Sequence, residues 1–216
     1  MRKNARRLFV IVFCLTILFD WLMIYRLQSC GKEETDVHNA RIEQELTCFP
    51  IPKSTKDADL GYSYVDSWMF ERSYGGDRRH EGCDIMVSEN TRGIYPVVSM
   101  TDGVLESIGW LKLGGYRIGI RSASGTYYYY AHMESYAEYL QEGMSVKAGE
   151  FLGFVGDSGY GSEGTTGQFA VHLHVGIYVP DASGKDVAVN PYPYLKKLEN
   201  RHLYAGYLCP GKETEE

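Results

Sequence analysis

The chain has 216 residues, with 22 Lys and Arg against 28 Asp and Glu, a formal net charge of −6. Four of the basic residues, Arg2, Lys3, Arg6 and Arg7, stand at the N-terminus; without them 18 basic residues face 28 acidic ones, a charge near −10. Nucleic-acid binding, which draws on a basic surface, is disfavoured by that balance.

Behind the basic cluster, residues 1–7, runs an apolar stretch from Leu8 to Tyr25. Its length suits a thin or locally adapted bilayer, and the basic residues favour the cytoplasmic side. Asp20 falls near the outer end, where a charge costs less than at the centre. A cleaved signal would have a shorter apolar core and a small-x-small site, and Arg26-Leu27-Gln28-Ser29 is a poor one. A lipoprotein signal ending at Cys30 is the third reading, with Arg26 and Gln28 against it. The expectation is a single-pass signal-anchor over 8–25, with the remainder on the extracytoplasmic side. Residues 26–50, rich in Glu, Lys, Gln and Asn with helical potential around Val37 to Leu46, read as a polar stalk. Cys48 and Cys209, in this oxidation-permissive setting, flank the body of the protein and could clasp it.

From 51 to 200 the sequence reads as one β-rich domain large enough for its own core, followed by a polar tail over 201–216. Short apolar or aromatic runs at Tyr95 to Val98, Gly103 to Ile108, Tyr116 to Arg121, Thr126 to His132, Phe151 to Val155 and Phe169 to Val179 alternate with Gly, Ser and Asp. They predict a mainly β fold, an antiparallel sheet with a groove across one face. Tyr127 to Tyr130 read as one strand, and strand parity puts Tyr128 and Tyr130 on the face of His132. There they either line the groove or pack against neighbouring strands. Gly156 to Gly167 holds five glycines, but no Gly-Lys-Ser/Thr follows and a strand comes next, so it reads as a groove-rim loop rather than a phosphate loop.

Four histidines stand in three blocks: His80-Glu81-Gly82-Cys83-Asp84, Tyr130-Ala131-His132, and His172-Leu173-His174. Hydrolytic zinc sites take three protein nitrogen or oxygen ligands and leave a position for water, whose pKa falls to about 7. His172 and His174 share one face of a strand, opposite Val171, Leu173, Val175 and Ile177. Residues i and i+4 of a straight strand lie about 13 Å apart, so His80 and Asp84 can share a metal only if the backbone bends, and Gly82 can supply the bend. On an extended stretch Cys83 points away from Asp84 and reads as a small buried residue. Glu81 has no second His in the His-Glu-x-x-His spacing and takes no assigned role.

These blocks, in this order, resemble the lysostaphin-type (LytM-like) zinc endopeptidases that cut peptidoglycan peptides: His-x-x-x-Asp, then Tyr-x-His, then His-x-His. The resemblance runs from about Tyr62 to Leu195 and includes Gly143-x-x-Val-x-x-Gly149 and Asn190-Pro191-Tyr192-Pro193-Tyr194-Leu195. It implies one zinc ion per chain, held by His80, Asp84 and His174. His132 and His172 would orient water or transfer protons, the division between them open, and Tyr74 matches the family's oxyanion-stabilising Tyr, with a core or groove-wall Tyr as the other reading. It also implies peptidoglycan peptides as partners; protein partners are not indicated. Two rivals stand beside it: a non-cleaving scaffold of the same fold that binds wall peptides or a partner, and a cupin-like or two-His, one-carboxylate metal protein. The first would be expected to have lost ligands, and the second has no need of His132.

Overall fold

The computed structural model describes residues 2–74 and 76–212, with side chains throughout except at 2–14, 27–31 and 33–34. It divides into two compact units, Met1–Arg41 and Ile42–Glu216. Helix α1 (Arg2–Glu45) makes up the first unit and enters the second. The apolar run expected to span a membrane lies in this helix. Its residues 8–14, and the Cys30 side chain, are outside the described side chains. From Leu15 to Tyr25 the large apolar side chains are exposed. Among the described residues no helix is long and apolar enough to cross a membrane.

The second unit carries β1 (Lys53–Ser54), β2 (Tyr62–Ser63), β3 (Glu71–Arg72), β4 (Arg78–Arg79), β5 (Cys83–Val87), β6 (Pro96–Val98), β7 (Gly103–Leu111) and β8 (Gly115–Arg121). After these come β9 (Tyr127–Tyr136), β10 (Ser145–Val146), β11 (Phe151–Val155), β12 (His172–Pro180), β13 (Asp186–Val189), helix α2 (Tyr192–Leu198) and β14 (Tyr204–Ala205). The main sheet is antiparallel in the order β10-β7-β8-β9-β12-β5-β2, with β11 on β9 and β13 on β12. The expected mainly β, antiparallel architecture is therefore present. β12 begins at His172 rather than Phe169, because the preceding amides are satisfied outside the ladder: Val171 N–H donates to Asn90 Oδ1 and His172 N–H to the Gly156 carbonyl.

Alternation along the central strands gives the sheet one dry face. Cys83 and Ile85 of β5, Ile118 and Ile120 of β8, Tyr128 and Tyr130 of β9, and Leu173, Val175 and Ile177 of β12 form the core. Burial of such side chains stabilises each by about 1.5–3 kcal/mol relative to exposure. The two buried tyrosines keep their hydroxyls bonded: Tyr130 Oη accepts from Met100 N–H, and Tyr128 Oη donates to Glu45 at the end of α1. Ile42, Leu46 and Phe49 are buried in the same core, and β14 pairs in parallel with β1. The folded unit thus extends beyond 51–200 at both ends. The stalk reading gives way here because Ile42, Leu46 and Phe49 are spaced to cover one core patch. Helix α2 also lay hidden in sequence, being too short for a periodic pattern; prolines in its first turn preset φ for a helix start.

The clasp between Cys48 and Cys209 is not formed, and both thiols are free. Cys48 Sγ is buried and donates to the Ser99 carbonyl 3.3 Å away.

Candidate metal centre

Sheet register builds the site. In β12 and β5, His174 stands directly opposite Asp84, and on the other side of β12 it stands opposite Ala131 of β9. Directly paired residues on one face bring Cβ atoms to about 4.5–5.5 Å, which places the Asp84 carboxylate against the imidazole. His174 Nδ1 lies 2.9 Å from Asp84 Oδ1.

His80 reaches the same point from outside the sheet. The backbone turns between β4 and β5, so the two ends of the His80–Asp84 spacing are not in one straight strand. His80 Nε2 lies 3.0 Å from Asp84 Oδ1 and 3.1 Å from His174 Nδ1. Its Nδ1 donates to the Ser67 carbonyl at 3.1 Å, with Ser67 Oγ at 3.0 Å, leaving the Nε2 lone pair for a ligand. Gly82 serves this turn by its missing side chain. A Cβ there would lie 2.3 Å from His174 Cε1, 2.5 Å from Nε2 and 2.8 Å from the Val175 carbonyl oxygen. The sequence suggested glycine for backbone freedom; the structure uses it for the space that the His174 ring occupies.

The three donors fit zinc. Ligand atoms about 2.1 Å from a tetrahedral ion stand about 3.4 Å from one another, close to the 2.9–3.1 Å separations of His80 Nε2, Asp84 Oδ1 and His174 Nδ1. They are also the His/Cys/Asp/Glu group whose ligand atoms converge among the described residues. Arg72 Nη2 donates to Asp84 Oδ2 at 2.7 Å, holding one carboxylate oxygen while the other faces the histidines. Burial raises the Asp84 pKa, but the imidazoles of His174 and His80 facing it outweigh that and keep the carboxyl ionised well below the usual range. Cys83 is fully buried on the opposite face, its thiol pushed up to about 12, chiefly by burial.

His132 and His172 stand beside the triad, their ring centroids 4.7 Å apart, with Phe169 packed edge-on against both. His132 Nδ1 donates to the Ser158 carbonyl at 2.8 Å and His172 Nδ1 to the Ala170 carbonyl at 2.7 Å. Each Nε2 is therefore left for proton exchange, and that of His172 lies 3.8 Å from Asp84 Oδ1. Burial, then the neighbouring His172 and His174, pushes the His132 pKa well down; burial also lowers His172, against the pull of Asp84. Both rings are thus neutral near pH 7, the state a proton acceptor needs.

His132 shows why parity misplaced the tyrosines. It has φ +61°, and its N–H leaves the ladder to donate to the Gly114 carbonyl. This left-handed residue at a bulge reverses the alternation, a known way to re-aim a side chain next to a site. His132 therefore joins Tyr127, Tyr129 and Ala131 on the groove face, while Tyr128 and Tyr130 go to the core.

The groove has a volume of about 970 Å³ and is walled by Tyr127, Tyr129, Tyr178, Tyr160, Phe169 and four arginines, Arg72, Arg78, Arg79 and Arg117. Sequence reading did not single out these arginines, because nothing local marks them; β3 and β4 bring three of them to the rim. Tyr74 is not among the residues lining the groove. It stacks on Tyr160 at 4.2 Å and donates its hydroxyl to the Tyr160 carbonyl.

An antiparallel sheet whose groove holds a His-Asp-His triad and two further buried histidines defines a metallopeptidase class. The profile of Peptidase family M23 matches residues 78–191, more than half of the chain, and the chain belongs to that family. It is 42% identical over 151 residues to the L-Ala--D-Glu endopeptidase of Bacillus subtilis (strain 168), covering 70% of this chain and 43% of that protein. To lysostaphin of Staphylococcus simulans it is 31% identical over 119 residues, 54% of this chain and 21% of the relative. A crystal structure described as a glycyl-glycine endopeptidase LytM, from Ruminococcus gnavus, superposes with a TM-score of 0.72 and 57% identity, covering 77% of this chain and 66% of that one. The chain thus spans less than half the length of the two curated relatives. The cupin-like alternative falls with the family assignment.

Proposed function

We propose that this chain is a membrane-anchored zinc endopeptidase that hydrolyses peptide bonds of cell-wall peptidoglycan, in the stem peptide or the cross-bridge. The observation that carries the reading is the convergence of His80 Nε2, Asp84 Oδ1 and His174 Nδ1 beside the two buried histidines His132 and His172. His80, Asp84 and His174 would hold one zinc ion, which when bound supplies a Lewis acid for the scissile carbonyl and a water of lowered pKa. Nε2 of His132 or His172 accepts the proton of the attacking water, and one of the two returns a proton to the leaving amine. Arg72 fixes the orientation of Asp84, and the carbonyls of Ser158 and Ala170 fix the proton-transfer rings. Tyr74 would stabilise the developing oxyanion by exchanging the Tyr160 carbonyl for the substrate oxygen. The names of the relatives support wall peptides as the substrate class.

The basic cluster Arg2, Lys3, Arg6 and Arg7 ahead of the apolar run Leu8–Tyr25 supports an N-terminal anchor with the peptidase unit on the extracytoplasmic side. Carbonate-resistant membrane fractionation of the full chain tests it, and release into the soluble fraction would sink the anchor. For the activity, full-length protein is incubated with several purified peptidoglycans, with and without chelator, and products are identified by mass spectrometry. New peptide ends are expected with zinc and none with chelator. Binding without cleavage would favour the scaffold reading.

A further inference from the structure

Three of the four groove arginines are engaged within the fold. Arg72 binds Asp84, Arg79 lies 3.3 Å from Glu71, and Arg78 donates to the Tyr74 carbonyl and the Tyr160 hydroxyl. Arg117 differs. Its Nη1, like Arg72 Nε, is buried without a hydrogen-bond partner, but unlike Arg72 it has no carboxylate at ion-pair distance from its guanidinium among the described residues. A buried donor left unpaired costs the fold stability, more so on a charged group. Arg117 lines the groove, so its guanidinium can turn an unpaired N–H toward an acceptor on a ligand lying there.

The register fixes how far away that acceptor sits. Arg117 falls between the partnered pairs Tyr116–Met133 and Ile118–Tyr130, facing the Ala131–His132 bulge of β9. Ala131 in turn pairs with His174 of β12. Arg117 is therefore two strands from a metal ligand, about 10 Å at the usual strand spacing. An extended peptide covers about 3.3–3.6 Å per residue, and the guanidinium stem closes part of the gap. A group bound by Arg117 therefore lies within about three residues of the scissile bond. The planar fork of an Arg matches a carboxylate bidentately, whereas a peptide carbonyl uses it poorly.

We propose that Arg117 forms a carboxylate-binding subsite: it anchors a free carboxylate of the peptide substrate near the cut bond and selects acidic peptides over amidated or all-glycine ones. This rests on reading the groove as a peptidase site. The subsite sets which bond is cut, because only peptides with a carboxylate at that distance are held by Arg117.

The test uses zinc-loaded full-length chain and two wall-peptide mimics, identical except that one glutamyl carboxyl is free in the first and amidated in the second. The wild type should favour the acid in kcat/KM by roughly tenfold to hundredfold, the range of a charge-assisted hydrogen bond. Arg117→Gln should bring the acid-to-amide ratio close to one, while Arg79→Gln, which removes a rim cation already paired with Glu71, should keep it. A wild-type ratio of one, or an undiminished ratio in Arg117→Gln, overturns the subsite. Absence of turnover of either mimic by the wild type would count against the peptidase reading instead. Calorimetric binding of the two mimics to wild type and Arg117→Gln then carries the test: loss of acid preference in the variant supports the subsite, and equal preference overturns it. If Arg117→Gln does not fold, Arg117→Lys keeps the charge without the fork and should show an intermediate ratio; a full ratio overturns the proposal.

Discussion

Gly82 is the position where a single methyl should separate folding from metal binding. In Gly82→Ala the new Cβ would stand 2.3 Å from His174 Cε1, and ordinary contact begins at 3.4 Å, so the ring must retreat by about 1.1 Å. The Val175 carbonyl oxygen, 2.8 Å away, belongs to the backbone of β12 and cannot yield as freely. Zinc sites hold ligand distances to within about 0.2 Å, so this retreat takes His174 Nδ1 out of coordination range. Disturbing even an outer partner of a ligand costs about 10–100-fold in metal affinity, and displacing the ligand itself should cost at least that. The overpacking adds about 1–3 kcal/mol of destabilisation, a melting shift of about 2–12 °C at about 2–4 °C per kcal/mol. Competition against a fluorescent zinc chelator gives the affinity, and melting of metal-free protein gives the fold. A folded Gly82→Ala with unchanged zinc affinity would refute the argument that the ring occupies the space of the missing side chain.

His132→Ala and His172→Ala should each lower kcat by about 10²–10⁴-fold while keeping one zinc, whereas His174→Ala should lose the zinc; metal analysis alongside steady-state kinetics checks this. Hydrogen bonds from Arg121 hold the Glu106 carboxyl below its usual pKa. That stability is present above the unfolded value of about 4.3 and is lost as pH falls through the folded pKa. The melting-temperature gap between wild type and Arg121→Gln should therefore narrow below about pH 4, and a gap independent of pH would contradict the pairing. Cys48 and Cys83 are buried and free, and Cys209 is free and partly exposed. A thiol reagent should modify Cys209 in the native protein and Cys48 and Cys83 only after denaturation; a non-reducing peptide map that joins Cys48 to Cys209 would contradict this.

How much of this was legible in sequence depended on whether neighbours along the chain carried the signal. The strand runs at Tyr116 to Arg121 and Phe151 to Val155 correspond to β8 and β11, the first because Ile118 and Ile120 alternate with polar neighbours, the second because a short apolar run stands between turn residues. The His-x-His spacing likewise carried the facing of His172 and His174 toward one groove. What alternation cannot carry is a residue that breaks it. His132, at φ +61°, turns its own ring onto the face of Tyr127 and Tyr129, and no local residue type announces a left-handed histidine. Arg72 and Arg117 were invisible for another reason: their roles depend on partners brought by register and by the β3–β4 hairpin, and an isolated Arg reads as a solvated charge. Ile42 and Leu46 looked like part of a stalk because the Glu- and Gln-rich composition around them hid two core positions.

The central claim is that peptide hydrolysis depends on one zinc ion held by His80, Asp84 and His174. Zinc titration of metal-free protein, with the release of new amine ends from purified peptidoglycan followed at each step, addresses it most directly. The account predicts activity that rises linearly and saturates at one zinc per chain, with His174→Ala inactive throughout. Full activity in the metal-free protein, or zinc-dependent activity retained in His174→Ala, would contradict it.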